Sequence, residues 1–316
     1  MSKKTNKAEN EKYNAVIGAD GKITYVKKKK KMLVFDYINY AFFALFGFLC
    51  LYPVIYIVLM SFASRGDYLN SSIFVFPWHF NLESYKSIIF QGRVFQAFGI
   101  SVFLVVVGTV YKLLLTMFGG YAFTRKDLPG LRVIFWFILF TMFFGGGLIP
   151  FYFVCKSLFA DDNLIVLILP FGCSTFNMII MRNFFSQVPE SIVESCRLDG
   201  ASEFTILFRF VMPLSKAGIA TIALWYIVGI WDDWYWPMIF LTKRTDLFPL
   251  ALELRSILMK SQTEGIETNG QIDWTQIFSQ GREAAMICIS LVPILAIYPF
   301  LQKYFTKGVM IGGVKA

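Results

Sequence analysis

Hydrophobic residues run along this chain in blocks longer than most soluble helices need. Six stretches carry few charges: Met32 to Ala63, Val94 to Thr124, Leu131 to Cys155, Leu164 to Met181, Ala217 to Thr242 and Ala284 to Gln302. Each comes near the roughly 20 apolar residues that cross about 30 Å of hydrocarbon, the fourth being the shortest. Lipid gives backbone groups no water to bond, and the runs lack the alternation of a barrel strand. The pattern therefore predicts six membrane-spanning helices. Pro53, Pro170, Pro293 and Pro299 fall inside or at the ends of these runs and mark expected kinks.

One polar segment interrupts the pattern between the fourth and fifth runs: Val188 to Pro213, VPESIVESCRLDGASEFTILFRFVMP. Pro189 suits the first turn of a helix, Glu190 and Glu194 favour its N-terminal half, and Gly200 can take the left-handed turn that ends it. Asp199 can then cap a second helix. Each half is about ten residues, too short to hold its shape alone in water, so both should gain order by packing on something else. The segment reads as a docking surface.

Composition agrees with a membrane chain. It is 56% hydrophobic with 35 Phe, and the mean hydropathy is +0.58. Lysine and arginine placement sets the orientation. Lys3, Lys4, Lys7, Lys12, Lys22 and the run Lys27 to Lys31 precede the first span, which should keep that end in the cytoplasm. Six spans return the C-terminus with Lys303, Lys307 and Lys315 to the same side. The Arg125 to Arg132 turn and the Val188 to Pro213 segment lie there too. The net charge of +9 is thus mostly a topology signal, with an attraction to anionic lipid. A nucleic-acid surface is the poorer explanation, because the basic run lacks aromatic interleaving and abuts a span. The first span and its leader are too long for a cleaved signal peptide.

Residues 1–31 are expected to be a flexible basic cytoplasmic tail, and residues 32–316 the six-helix domain. Two stretches are expected outside, Ser64 to Arg93 and Lys243 to Glu283, the second at residues 243–283 with a polar tip at Gly265, Thr268, Asn269, Gly270 and Gln271. Leu252 to Met259 and Trp274 to Phe278 could be short helices flanking that tip.

Catalytic constellations are largely missing. The one histidine, His79, sits in the first outer stretch beside Pro77 and Trp78 and reads as an ordinary loop residue, which argues against a His-based metal site or triad. Cys50, Cys155, Cys173, Cys196 and Cys288 are scattered with no CxxC spacing. No GxxxxGK[ST] phosphate loop occurs, so the chain should not hydrolyse ATP by itself. Gly145-Gly146-Gly147 lacks the strand and helix of a nucleotide site and is expected to loosen the outer end of the third span.

Within Val188 to Pro213, Glu194 and two small residues are followed by three residues, Gly200, nine residues and then Phe210-Val211-Met212-Pro213. This spacing resembles the EAA loop of ATP-binding-cassette (ABC) importer permeases: E-A-A, three residues, Gly, nine residues, I-x-L-P. Ser195 and Cys196 replace the two alanines, Phe210 the Ile and Met212 the Leu; Asp199-Gly200-Ala201 is the usual core. Gly146-Gly147-Leu148-Ile149-Pro150, Met181-Arg182-Asn183-Phe184-Phe185, Trp231 to Pro237 and Lys307 to Lys315 are similar to the carbohydrate branch, the MalG-like polysaccharide and oligosaccharide permeases.

The resemblance implies an all-α membrane protein with six transmembrane helices and a cytoplasmic coupling helix pair between helices 4 and 5, the type I ABC importer permease fold. It places the chain in the bacterial plasma (inner) membrane with both termini cytoplasmic. Implied partners are an external sugar-binding protein, a second homologous permease, two cytoplasmic ATPase subunits and membrane lipid. The chain itself would hold no cofactor, ATP and magnesium belonging to the partner ATPase. Glu190, Glu194, Arg197, Asp199, Gly200, Ala201, Ser202 and Pro213 would then form the ATPase-coupling surface.

The sugar path is harder to place. Trp231-Asp232-Asp233-Trp234-Tyr235-Trp236 joins flat aromatic faces to carboxylates, a combination that stacks on sugar rings and accepts their hydroxyl protons; an interfacial aromatic belt is the other explanation. Lys112, the sole charge inside the second span, lies at a similar depth by helix rise. It could pair with Asp232 or Asp233, pair with a partner permease, or snorkel. Peptide or polyamine uptake, a channel or scaffold, and a membrane enzyme using the two aspartates remain alternatives. Co-purification with two ATPases separates the importer from the last two classes.

Overall fold

Backbone donors and acceptors are closed within helices through most of the described chain, as a lipid environment requires. The structure, a computed structural model, describes residues 13–17, 23–27, 34–70, 79–91, 93–125, 127–159, 162–267 and 279–312. It divides into two compact units, Met1–Tyr56 and Ile57–Ala316.

In the first unit, β1 (Tyr13–Ile17) and β2 (Ile23–Lys27) pair antiparallel, with Tyr13 opposite Lys27 and Ile17 opposite Ile23. This hairpin lies in the tail expected to be flexible. Short runs of β-branched and aromatic residues, Tyr-Asn-Ala-Val-Ile and Ile-Thr-Tyr-Val-Lys, are what a strand pair uses. Helix α1 (Val34–Ser61) follows, with Pro53 inside it. Its apolar side chains up to Ile55 are exposed, as expected of a helix solvated by lipid.

The second unit continues through α2 (Arg65–Asn70), α3 (Glu83–Gln91), α4 (Val94–Ala122), α5 (Leu131–Phe143), α6 (Leu148–Phe159), a 3-10 turn at Leu164–Leu167, and α7 (Thr175–Phe185). Then come α8 (Glu190–Leu198), α9 (Glu203–Leu214), α10 (Lys216–Trp231), α11 (Tyr235–Phe240), a 3-10 turn at Thr245–Leu247, α12 (Leu250–Glu267) and α13 (Ser279–Gly312). Helix α4 is the hub, packing on α7, α10 and α12. Its buried face carries Ala97, Ser101, Leu104, Gly108, Thr116, Met117, Gly120 and Tyr121, a stripe rich in small residues that lets neighbouring backbones come close. A Cβ on Gly108 would lie 3.0 Å from Ile230, and one on Gly120 3.0 Å from Met181. Two buried polar links reinforce the contacts. The Thr116 and Tyr226 hydroxyls lie 2.7 Å apart, and the Leu250 N–H donates to Ser101 Oγ at 2.7 Å.

Several expected spans are broken rather than straight. By length and composition, Val34–Ser61, Val94–Ala122 and Gln280–Ile297 suffice to cross a membrane alone, and up to five crossings result if each bent pair counts as one. The third run is a pair, α5 and α6 meeting at 118°, because the glycines expected only to loosen its outer end stop the helix outright and Gly147 takes φ 85. In the fourth run, a 3-10 turn and a non-helical stretch around Pro170 precede α7, which starts only where Ser174 Oγ accepts the Asn177 N–H. The fifth run stops at Trp231 and resumes at Tyr235, so the two aspartates sit at a helix break. Pro293 and Pro299 lie inside α13 and do not end it.

Among the outer stretches, His79 is tied to Asp67, its Nδ1 3.1 Å from Oδ1 and its N–H donating to Oδ2, so it is the loop residue the sequence suggested. Leu252 to Met259 falls within α12. That helix runs on to Glu267, so Gly265 is helical rather than part of a loose tip. Pro77, Trp78, Thr268, Asn269, Gly270, Gln271 and Trp274 to Phe278 lie outside the described residues.

Helix α10 approaches α7 so closely that a Cβ on Gly218 would enter the Phe184 ring. Gly218→Val should therefore cost about 1–3 kcal/mol by overpacking and lower the thermal unfolding midpoint of the detergent-purified chain. Gly99→Ala, where a Cβ meets open space, should leave it nearly unchanged.

Candidate coupling surface and translocation cavity

Helix α8 begins at Glu190 with Pro189 as its cap residue rather than in its first turn. It ends in a complete Schellman motif. Ala201 N–H donates to Cys196 O at 3.0 Å and Gly200 N–H to Arg197 O at 2.9 Å, with Gly200 at φ 78. Asp199 caps the end of α8 and not the start of α9. Leaving a left-handed residue takes two more positions, so Ser202 occupies the N-cap in extended backbone and accepts from Thr205 N–H at 3.3 Å. Pro213 sits in the last turn of α9, where an 87° bend leads to α10.

The inner face of this segment is anchored. Cys196, Ile206, Leu207 and Val211 share one buried cluster with Met117 and Tyr121 of α4, Met181 and Phe185 of α7, and Ile222 and Tyr226 of α10. A polar clamp adds to it. Glu203 Oε2 lies 2.5 Å from Arg125 Nη1 and accepts from Tyr121 Oη at 2.6 Å, while Glu203 Oε1 accepts from Arg197 Nε at 3.1 Å. Arg125 also grips Asp127 at 2.8 Å. Partial burial pushes the Glu203 carboxyl up, but the Arg125 and Tyr121 hydrogen bonds and the guanidinium charge outweigh it and hold the group below its ordinary value. Sequence reasoning missed Glu203; its signal was an acid in the first turn after a Ser cap, facing the basic end of the second span.

The outer face stays open. Glu190, Glu194, Asp199, Gly200 and Ser202 are exposed, with Arg197 and Ala201 half-buried. Two large apolar side chains flank the Gly200 turn uncovered, Leu198 at 89% and Phe204 at 67% exposure. Neither belongs to a charge or motif signature in the sequence; the one signal for Leu198 is its place directly before an Asp-Gly helix stop, from which it can reach little of its own helix.

Away from this segment, a cavity of about 420 Å³ is walled by α4, α10, α11 and the Pro170 region, a size common for small-molecule sites. Lys112, Asp232, Asp233 and Trp236 line it together with Phe171 and Tyr226. Lys112 Nζ lies 5.8 Å from the Phe171 ring centre and 5.9 Å from that of Tyr226. Of the two acids, Asp233 is the one in electrostatic reach of Lys112, and its Oδ1 also accepts the Tyr235 and Trp236 N–H groups at the start of α11. Trp236 stacks among Phe151, Phe171 and Phe240.

The remaining aromatic candidates do not line this cavity. Trp231 is buried against α13, its Nε1–H donating to Ser290 O at 3.0 Å. Trp234 carries the Arg255 guanidinium 3.5 Å from its ring centre. Tyr235 is 39% exposed and meets Trp234 and Trp236 edge-on. The hexapeptide is spread over several surroundings because the chain turns between Trp231 and Tyr235.

Because the Glu203 carboxyl is held low in the folded chain, its stabilisation is present at neutral pH and is lost as pH falls through that depressed value, below the ordinary glutamate range of about 4.5. Glu203→Gln should remove that acid-side loss. At neutral pH, Glu203→Ala should speed amide exchange across residues 190–206 by up to about fivefold, read by hydrogen–deuterium exchange; unchanged protection would dismiss the clamp.

The family model described as "Binding-protein-dependent transport system inner membrane component" matches residues 128–311, which include the Val188 to Pro213 segment and most of the cavity lining. Protein LplC of Bacillus subtilis (strain 168) is 38% identical over 283 residues, 89% of this chain and 95% of LplC. The polygalacturonan/rhamnogalacturonan transport system permease protein YtcP of the same organism is 33% identical over 285 residues, 90% of this chain and 99% of YtcP. A chain in the crystal structure of a bacterial ABC transporter involved in the import of the acidic polysaccharide alginate superposes with a TM-score of 0.75 at 28% identity, covering 88% of this chain and 100% of that one. This chain belongs to the family of binding-protein-dependent transport system inner membrane components, the permeases of ABC importers.

Proposed function

We propose that this chain is the non-catalytic translocation subunit of an ATP-driven importer that moves an oligosaccharide or polysaccharide fragment from an external binding protein into the cytoplasm. The observation that carries the mechanism is the Val188 to Pro213 segment, clamped on its inner face by Arg125, Arg197 and Tyr121 and bare on its outer face at Leu198 and Phe204. A rigid element with an uncovered apolar edge transmits movement when a partner packs on it. The partner is a cytoplasmic ATPase holding ATP and magnesium, one of two in the complex, and a second permease completes the pathway. With the fourth run, Leu164 to Met181, added as a sixth crossing to the five counted when each bent pair is one, both termini and the coupling segment lie on the cytoplasmic side. ATPase closure draws α8 and α9 with it, and the anchored ends of α4, α7 and α10 follow.

Sugar rather than peptide or polyamine is favoured by the transport functions of the relatives, YtcP and the alginate importer among them. The 420 Å³ cavity suits it: Trp236 offers a flat face, Asp232 and Asp233 accept hydroxyl protons, and Lys112 donates.

With the ATPases, second permease and binding protein reconstituted, Gly200→Val should abolish ATP-coupled uptake while membrane insertion is preserved, since a β-branched residue at φ 78 straightens or unseats the turn. Leu198→Glu should cut ATPase co-purification at least about tenfold, as burying an unpaired carboxylate costs several kcal/mol; normal uptake and retention in both variants would sink the coupling assignment. In a charge-reversal cycle, the Lys112→Asp defect should be relieved by Asp233→Lys and not by Asp232→Lys, each measured against its single variant so that the lost α11 cap cancels.

A further inference from the structure

A second cavity, of about 520 Å³, lies where α4 ends and α5 begins. Its charged lining is Arg125, Arg132 and Arg182, joined by the hydroxyls of Thr124 and Ser186, with no carboxylate among its lining residues. Arg125 is committed to Asp127 and Glu203. The other two have no carboxylate partner among the described residues. Arg182 spends Nε on the Phe123 carbonyl at 3.0 Å and lies 5.2 Å from the Phe135 ring centre, but it has no acidic partner among the described residues. Arg132 is exposed and has none either.

Arg132 also stands at the second position of α5, a helix of 13 residues whose N-cap, Gly130, offers no side-chain acceptor. A cation there opposes the helix dipole, and two unpaired guanidinium groups around one cavity repel each other. Both costs vanish if an anion sits between them. Charge-assisted, forked hydrogen bonds to phosphate oxygens are what guanidinium groups make best. The next turn of α5 shows what carries that phosphate. Val133 at 59%, Trp136 at 62% and Phe137 at 69% exposure form an apolar flank beside the arginines, with an indole of the kind that settles at membrane interfaces.

We propose that this cavity binds the phosphate of an anionic phospholipid, Arg132 and Arg182 gripping the headgroup while the acyl chains lie along Val133, Trp136 and Phe137. Arg125 shapes the cavity wall and stays with Glu203. A zwitterionic choline headgroup brings its own positive charge to two unpaired arginines and is the weaker ligand. The assignment is independent of which solute the transporter carries.

The test is native mass spectrometry of the full-length chain from micelles doped with dioleoylphosphatidylglycerol or dioleoylphosphatidylcholine. The wild-type chain should retain phosphatidylglycerol in preference to phosphatidylcholine. Arg132→Gln should weaken that retention about fivefold, the effect of one arginine near a lipid surface. Arg132→Lys should restore most of it, and Arg209→Gln, in α9 and outside the cavity lining, should leave it unchanged. Arg132 is exposed, so its loss is separable from misfolding, which the thermal midpoint checks. Equal retention of both lipids, or an unaffected Arg132→Gln variant, overturns the proposal. So does displacement of the lipid by millimolar inorganic phosphate, which would assign the cavity to a soluble phosphate instead.

Discussion

Close approach of helix backbones to α4 is the constraint from which both candidate sites follow. Where water is absent, apolar side chains gain little from leaving lipid for protein, so helices hold together through shape and a few internal hydrogen bonds. Gly108 admits Ile230, Gly119 and Gly120 admit Met178 and Met181, and the Thr116 and Tyr226 hydroxyls meet between them. The same helix then serves two ends. Gly108 and Lys112 form part of the cavity wall; Tyr121, and Arg125 just beyond it, hold Glu203 of the Val188 to Pro213 segment. From Lys112 to Tyr121 is about 14 Å of helix rise. Under the proposed coupling role, movement at that surface would reach the cavity through this one helix.

The breaks in the other helices are the complement of that rod. Irregular backbone at membrane depth is tolerated where it lines a cavity or is covered by protein, and the non-helical stretches around Pro170 and at Asp232–Trp234 both border the same cavity. Each break has a local chemical cause: the proline that removes a donor, or the aspartate whose Oδ1 supplies the acceptor that starts α11. Asp233 consequently does two things at once, capping a helix with one oxygen and facing Lys112 with its charge. A cavity built from helix ends in this way has polar groups already oriented toward its interior, which uniform spans would lack.

Much of this was legible from the residues, though unevenly. Pro189, Glu190, Glu194 and Gly200 predict two short helices about a left-handed glycine, and the Schellman hydrogen bonds realise the turn. Lys112 and the aspartates were brought together by helix rise alone, and they do share a cavity. Hydropathy could not show where a run stops being helical. It counts apolar atoms, and the residues of the third run are apolar on both sides of Gly145–Gly147 while the backbone turns through 118°. The clamp on Glu203 and the burial of Trp231 were likewise hidden, because each depends on a partner distant in sequence: Arg125 and Tyr121 for the clamp, the Ser290 carbonyl for the indole. The cap at Ser202 in place of Asp199 is local and follows from the Schellman turn at Gly200, which makes Asp199 the last residue of α8's cap.

Charge placement on the two faces of the Val188 to Pro213 segment follows from one asymmetry. Glu203 is satisfied from within the chain by three donors, so it has little left to offer a partner and serves to fix orientation. Glu194 and Asp199 are exposed, where rim charges would steer a partner's encounter more than they add affinity. The binding surface proper would then be the apolar pair beside the turn. Leu198 and Phe204 belong to different helices and meet a partner together only if Gly200 keeps its left-handed conformation. A single backbone dihedral thus decides whether two otherwise unremarkable side chains form one surface, which is why the glycine matters more here than any of the acids around it.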